Sequence, residues 1–406
     1  MPIFYWYGTD FRIAQMRLWQ AFCVMFALLS LCVANKPIKL SKFNITLGLF
    51  GVWTYLLYAI TQFILGGIVF VNVFYGILLY ASFIRIYDKE DYHIVGKVLL
   101  GVGIYNIVLI LMQQYVFDPI YVANSGSFLQ NDPMGSFCLK AIMGIFFAVI
   151  WGFYLGVVDK IKFKNLKLSI GKWKLDTLPA STVKFVLALA PLYPLYYARS
   201  TGAMLAGVVA CLIYLWMRMR RLFAPMLITL IIGASIFVVK YDAPMGTFNT
   251  RPAMWKMTIK TAMMQPITGY CLDSVRSGPV RYFMDKGTQK TVSFPRTEIN
   301  LQTGGISYLL PPDLATRYDA WDNLHCEPIQ LLYEFGVTGL ILVGLLIWFA
   351  RKMFLKTVKS NYICAVYCGM IALFIAGLTQ FPFHLARIGY LLPLFGAMLY
   401  QEVNDA

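Results

Sequence analysis

"HCEPIQLLYEFGVTGLILVGLLIWFA", residues His325 to Ala350, is the stretch on which the fold turns. From Leu331 onward it is apolar for about 20 residues, interrupted by Glu334, and that is the length a helix needs to cross a hydrocarbon core of ~30 Å. Ahead of the run stand Glu327 and Pro328, a pair suited to a first helical turn. Proline loses no hydrogen bond there, and the acid meets the positive end of the helix dipole. One of only three histidines in the chain, His325, is placed where this helix begins.

Comparable apolar runs recur on both sides of it. Spans are expected at about 16–34, 44–65, 67–86, 94–116, 136–158, 182–198, 201–217, 222–240, 327–350, 361–379 and 384–400. With room for one more short or re-entrant element near Arg12 and Arg17, the chain reads as all-α, a polytopic membrane protein of about 11–12 transmembrane helices. Composition agrees: 59% of the 406 residues are hydrophobic and 13% charged, where a soluble domain carries about 25% charged. The first apolar run leads into further spans rather than to a small-residue cleavage site, so no cleavable signal peptide is expected.

A net charge of +16 would suggest nucleic acid as a partner of a soluble protein. The distribution of that charge gives a better explanation. "NKPIKLSK", "RIYDKEDYHIVGK", the six-lysine stretch "KIKFKNLKLSIGKWK", "RMRR" and "RKMFLKTVK" all fall between alternate pairs of spans, which marks one side as cytoplasmic. The opposite side then receives the long segment 241–326. Three regions follow: N-terminal transmembrane helices over 1–240, a large outer loop over 241–326, and C-terminal transmembrane helices over 327–406. Within the loop, "NTRPAMWKMTIKTAMMQP" sets Met254, Met257, Ile259 and Met263 beside Arg251, Lys256 and Lys260. This predicts an amphipathic helix lying on the membrane surface, stopped near Pro266 and Gly269. Six of the eight cysteines lie in apolar spans and read as packing; Cys271 and Cys326 share the polar segment, and a disulfide between them stays open.

Three charged or titratable positions stand out against this background. Arg199 lies in a very short outer turn and Arg387 just inside the last span, both against the orientation trend. A cation so placed usually faces an interior or watery site, the plain alternative being snorkelling to headgroups. His325 is the third. At a helix N-terminus its imidazole is kept neutral, and the same helix end attracts an anion. A base beside a bound phosphate is built this way, although an interfacial histidine bonded to its loop would look the same. His93 lies on the cytoplasmic side, and His325 with His384 makes a weak metal constellation. No nucleophile elbow, Walker loop or dinucleotide fingerprint is present, and no metal or cofactor is expected.

The quoted stretch resembles the H-N-x-x-x-Q-hydrophobic-hydrophobic-x-E-x-G-x-x-G pattern of the O-antigen ligase and polymerase superfamily. His325, Gln330, Glu334, Gly336 and Gly339 fall in register, with Cys326 in place of the usual asparagine. "GSFLQNDPMGSF", "YYARSTGAMLAGVVACLIYL", "TRPAMWKMTIKTAMMQPITGY" and "QFPFHLARIGYLLPLFGAML" are similar to further family segments in the same order, from about residue 126 to 400. The resemblance implies a membrane glycosyltransferase of the GT-C type in a bacterial inner membrane. Its donor would be an undecaprenyl-pyrophosphate-linked glycan, and its acceptor a hydroxyl of lipid A-core or another glycan at the periplasmic face. Transfer would be inverting and metal-independent. Carried over, His325 is the general base, and Arg199 and Arg251 clamp the pyrophosphate. Arg317, Gln330 and Glu334 are candidates for binding or orienting substrate, with solvated loop charge and helix–helix polar contact as the plain alternatives. Gly336 and Gly339 are expected to permit close helix packing. Ligation, glycan polymerisation and transfer to protein share this scaffold; the short C-terminal "QEVNDA" lowers the third, and ligation is preferred. A transporter is disfavoured because no paired inverted repeats are evident.

Overall fold

The computed structural model describes residues 9–33, 38, 41–65, 72–88, 91–118, 140–160, 166–170, 173–178, 180–240, 246–270, 279–285, 291–299, 306–308, 318–320, 324–357, 361–380 and 389–404. Helices dominate. The order is α1 (Thr9–Val33), α2 (Lys42–Leu65), α3 (Asn72–Ile86), α4 (Asp91–Tyr115) and α5 (Lys140–Lys160), then a hairpin of β1 (Leu166–Ile170) and β2 (Trp173–Leu178). Next come α6 (Ala180–Ala188), α7 (Leu192–Ala198), α8 (Thr201–Arg218), α9 (Arg220–Lys240) and α10 (Gly246–Ala262). Four strands follow, β3 (Val280–Asp285), β4 (Thr291–Ile299), β5 (Ile306–Tyr308) and β6 (Tyr318–Ala320), and the chain closes with α11 (Glu327–Thr357), α12 (Asn361–Gly377) and α13 (Leu391–Asn404). Among the described residues, four helical stretches are long and apolar enough to cross a membrane: Ile94–Tyr115, Lys140–Val158, Thr201–Arg218 and Glu327–Leu355. Shorter apolar helices lie on other expected spans, at Ala21–Val33, Phe74–Ile86, Tyr362–Gly377 and Leu391–Val403. The chain is a predominantly helical, multi-pass membrane protein.

Helices α5, α8 and α12 pack most closely and form the centre of the bundle. Small side chains make this possible: Ala148, Ala203, Ala206, Ala210, Ala365, Ala372 and Ala376 are all buried there. Lipid offers hydrocarbon as good as any leucine, so helices associate in a membrane by close van der Waals approach, which small residues allow.

The span expected over 182–198 is two helices rather than one. Pro191 and Pro194 lack the N–H groups that a continuous helix would use, and α6 stops at Ala188. Its freed Ala188 carbonyl accepts a hydrogen bond from Trp151 Nε1 on α5 at 2.9 Å. The partner is needed because no water at that depth can take its place.

Two sheets were not anticipated. The lysine-rich stretch expected as a plain loop folds as the β1–β2 hairpin, pairing Ile170 with Trp173 and Leu166 with Leu178. The long segment after α10 holds an antiparallel sheet in the order β5-β4-β3-β6. Its wall meets α10 and the head of α11 in a small core of Met254, Ala262, Tyr282, Leu324 and Tyr333. Helix α10 therefore buries its Met254–Thr258–Ala262 stripe against protein, while Met263, Met264 and Ile267 beyond its end stay exposed. It is a structural wall of this unit, where a helix lying on the membrane surface was expected.

Helix α11 is interrupted at Gly336, whose φ of 67° and ψ of −170° belong to a region open essentially to glycine. Three backbone groups freed by the break are all used. Tyr270 N–H donates to the Tyr333 carbonyl at 2.9 Å, and Val337 N–H donates to the Pro266 carbonyl at 2.7 Å. Trp53 Nε1 donates to the Phe335 carbonyl at 3.3 Å. The turn after α10 thus plugs the gap, with Gly269 (φ 64°) against the Gly336 backbone. Gly336 serves a helix break filled by a backbone turn, where close packing of two helices was expected.

Candidate active site

His325 precedes α11 as expected, and its surroundings begin with the backbone. Gln330 N–H donates to the Cys326 carbonyl at 2.9 Å, closing the first turn. Gln330 turns its side chain back over that turn. Its Oε1 accepts from Leu324 N–H at 3.3 Å, and its Nε2 donates to Glu334 Oε1 at 3.0 Å. From the other side Trp255 Nε1 on α10 donates to the Leu324 carbonyl at 2.7 Å. Both polar groups of the Leu324 peptide are therefore fastened, and the following residue is held at φ 52°. Gln330 and Glu334 are buried. They meet each other as their spacing implied, beneath the histidine.

The imidazole is partly covered and lies close to Arg251 and Gln380. Its pKa falls to about 4 from an ordinary 6.5, through burial first and the positive charge of Arg251 second, while a hydrogen bond with the Gln380 side chain pulls the other way. The helix N-terminus was the cause expected from sequence; the causes found in the structure are burial and the arginine. His325 is consequently a neutral base across the physiological range.

Arg251 projects from α10 and is half-buried, which lowers its pKa, although a guanidinium stays charged throughout. Its Nη1 donates to the Thr379 carbonyl at 3.0 Å. Thr379 and Gln380 form the turn that ends α12, their N–H groups bonded to the Ala376 carbonyl at 3.1 and 2.8 Å. The end of a helix that favours cations therefore receives the arginine.

Arg199 occupies the turn between α7 and α8 and is exposed. Its φ is 47°, and its N–H reaches the Tyr196 carbonyl at 3.3 Å. Ser200 caps α8, its side chain accepting from Ala203 N–H. Gly202, one residue into that helix, lies so close to Thr379 that no side chain fits between them. Arg251, His325 and the head of α8, which follows the Arg199 turn, thus meet at one two-residue turn, Thr379–Gln380. The segment that begins at Gln380 carries family-like residues, but nothing local in it marks Gln380, which only the fold brings to His325. Arg317, His384, Arg387 and Cys271 lie outside the described residues; Cys326 is buried with a free thiol.

Chemically the arrangement offers a neutral proton acceptor, an adjacent fixed cation and a second cation on the neighbouring turn, at the head of a membrane helix. Residues 186–344 match a family model described as O-antigen ligase. That stretch includes Arg199, Arg251, His325, Gln330 and Glu334, and it ends before Thr379. No curated protein matches the chain. The match places residues 186–344 in the O-antigen ligase and polymerase superfamily and supports a membrane glycosyltransferase in that broad sense.

Proposed function

We propose that the protein transfers a glycan from undecaprenyl pyrophosphate to a hydroxyl of lipid A-core, at the periplasmic face of a bacterial inner membrane. The observation that carries this is the neutral His325 set against Arg251, within the residues matched as O-antigen ligase. A sugar hydroxyl is a poor nucleophile, and a positioned base is worth ~10²–10⁴-fold. His325 takes the hydroxyl proton as the oxygen attacks the anomeric carbon. The bond from that carbon to the pyrophosphate oxygen breaks, its electron pair leaves with undecaprenyl pyrophosphate, and the configuration inverts. Arg251 and Arg199 neutralise the charge on the departing group, the task a metal performs elsewhere. Gln330 and Glu334 support the loop that carries His325, and the apolar spans leave room for the polyprenyl tail.

Purified protein in proteoliposomes with donor and lipid A-core tests the reading, with EDTA present throughout. The wild type is expected to transfer, and His325→Ala to lose ~10²–10⁴-fold while still inserting in the membrane. Near-normal transfer by His325→Ala would remove the base assignment. A wild type silent in EDTA and restored by Mg²⁺ would remove the metal-independent part.

A further inference from the structure

The turn that follows α10 carries a patch of bare apolar side chains. Met263 is 50% exposed, Met264 77% and Ile267 67%. A single exposed apolar residue is ordinary on any protein surface, but three so close together in the chain form a patch that calls for a partner. The body of α10 does not share it, because its Met254–Thr258–Ala262 stripe is buried against protein.

The position of the turn says what that partner is. The Pro266 carbonyl accepts from Val337 N–H at 2.7 Å, and the Ile267 backbone lies against Gly336. Val337 opens the apolar body of α11, and Val337 and Ile341, four apart on one helix face, are both exposed. Glu327–Leu355 is long and apolar enough to cross a membrane, so that face meets acyl chains. The patch continues this lipid-facing surface beyond the point where α11 enters the bilayer. We infer that the turn Met263–Ile267 seats in the bilayer boundary beside α11, with the acyl chains of membrane lipid as its partner.

The backbone of the turn suits such a place. Away from water every polar backbone group needs an internal partner. Met263 N–H donates to the Ile259 carbonyl, Met264 N–H to Thr261 and Gln265 N–H to Ala262, each at 3.0 Å. Pro266 has no N–H to satisfy, and its carbonyl is taken by Val337. Gln265 and Thr268 are exposed beside the apolar side chains, and their polar groups keep the seat shallow, at the level of the headgroups. The helix that carries Arg251 is then fastened at both ends, by Arg251 on the Thr379 carbonyl and by the lipid-seated turn.

The test uses the full chain in liposomes of phosphatidylethanolamine and phosphatidylglycerol and needs no catalytic turnover. The photo-crosslinking residue p-benzoylphenylalanine is placed singly at Met264, Ile267, Ile341 and Pro295, and lipid adducts are read by mass spectrometry after irradiation. Ile341 is the lipid-facing reference, and Pro295, exposed on β4, is the water-facing one. Lipid adducts are expected at Met264 and Ile267 in yields like that at Ile341, with their loss at Pro295. No adducts at Met264 and Ile267 while Ile341 gives them would overturn the inference. Crosslinks to a second copy of the chain at those positions would also overturn it and make the patch an interface between copies. Equal adducts at Pro295 would mean that the sheet lies against lipid as much as the turn does, and the turn would have no special role. Absence of adducts at Ile341 as well would remove the lipid-facing surface on which the turn's assignment depends. If one turn variant fails to fold, the other decides alone.

Discussion

Arg199 and His325 share a backbone conformation that residues with a side chain seldom adopt, with φ of 47° and 52°, and among the described residues no other non-glycine has positive φ. Such a conformation costs about 1–3 kcal/mol and persists where the surroundings over-determine it. At His325 the fastened Leu324 peptide does so; at Arg199 the capped start of α8 does. If Arg199 is kept for its guanidinium despite the strain, Arg199→Gly and Arg199→Ala should both abolish transfer but differ in stability. The glycine variant relaxes into the turn and is expected to be more stable than the alanine variant by about 1 kcal/mol, visible as a higher melting temperature in detergent. Equal melting would dispose of the strain argument, and transfer by either variant would dispose of the clamp. These positions were legible in the sequence because a cation against the charge trend and a scarce histidine at a span border are both anomalies. The left-handed turns were not, since neither residue carries the glycine or asparagine that usually announces one. Gln380 was illegible for a different reason: its importance is adjacency to His325 across 55 positions of chain, which no local pattern encodes.

At the scale of elements, the break in α11 does what a continuous span could not. It leaves a short, largely buried head, Glu327 to Phe335, that packs with α10 and the sheet, and a longer apolar body beyond it. The turn 266–269 inserted between them ties the wall carrying Arg251 to the helix carrying His325. A side chain at Gly336 would collide with the Pro266 and Ile267 carbonyls and would need a backbone conformation closed to it. Gly336→Ala is expected to destabilise by roughly 2–5 kcal/mol, read as a lowered melting temperature and new protease cleavage near Met264. Gly344 on the same helix has open space around it, so Gly344→Ala should be neutral or mildly stabilising. Similar losses in both variants would mean that the break has no special role. The apolar register runs straight through "EFGVTG", and for that reason the sequence predicted one unbroken span. The strands had more signal than was used. "LKLSIGKWKLDTL" alternates on either side of its glycine, and "VRYFMD" and "TVSFPRTEI" are rich in the β-branched and aromatic residues that favour strands. Lysine content in the first case and segment length in the second point the other way, to loop.

Across the whole molecule, the choice between ligation and polymerisation comes down to how many lipid pyrophosphates the protein must grip at once. A polymerase holds two undecaprenyl-linked glycans, one as donor and one as acceptor, and needs a charged clamp for each. A ligase holds one, beside a surface for a phosphorylated lipid acceptor in the same leaflet. The described residues bring Arg251, His325 and the head of α8, just after the Arg199 turn, to a single turn, Thr379–Gln380, at the end of one central helix. Two guanidiniums match one pyrophosphate, because each can pair bidentately with one phosphate group. Lys256 and Lys260 are exposed one turn apart on α10; as point charges on flexible stems, without the planar fork of arginine, they suit a diffuse phosphorylated acceptor better than a second tight clamp. Deleting the gene should therefore leave glycan chains of full length accumulating on the undecaprenyl carrier while lipid A-core stays bare, as resolved by gel electrophoresis of extracted lipids and lipopolysaccharide. Lipid A-core carrying a single repeat in the mutant would mean that ligation proceeds without this protein, that polymerisation is what it performs, and that one clamp can serve two pyrophosphate-bearing substrates.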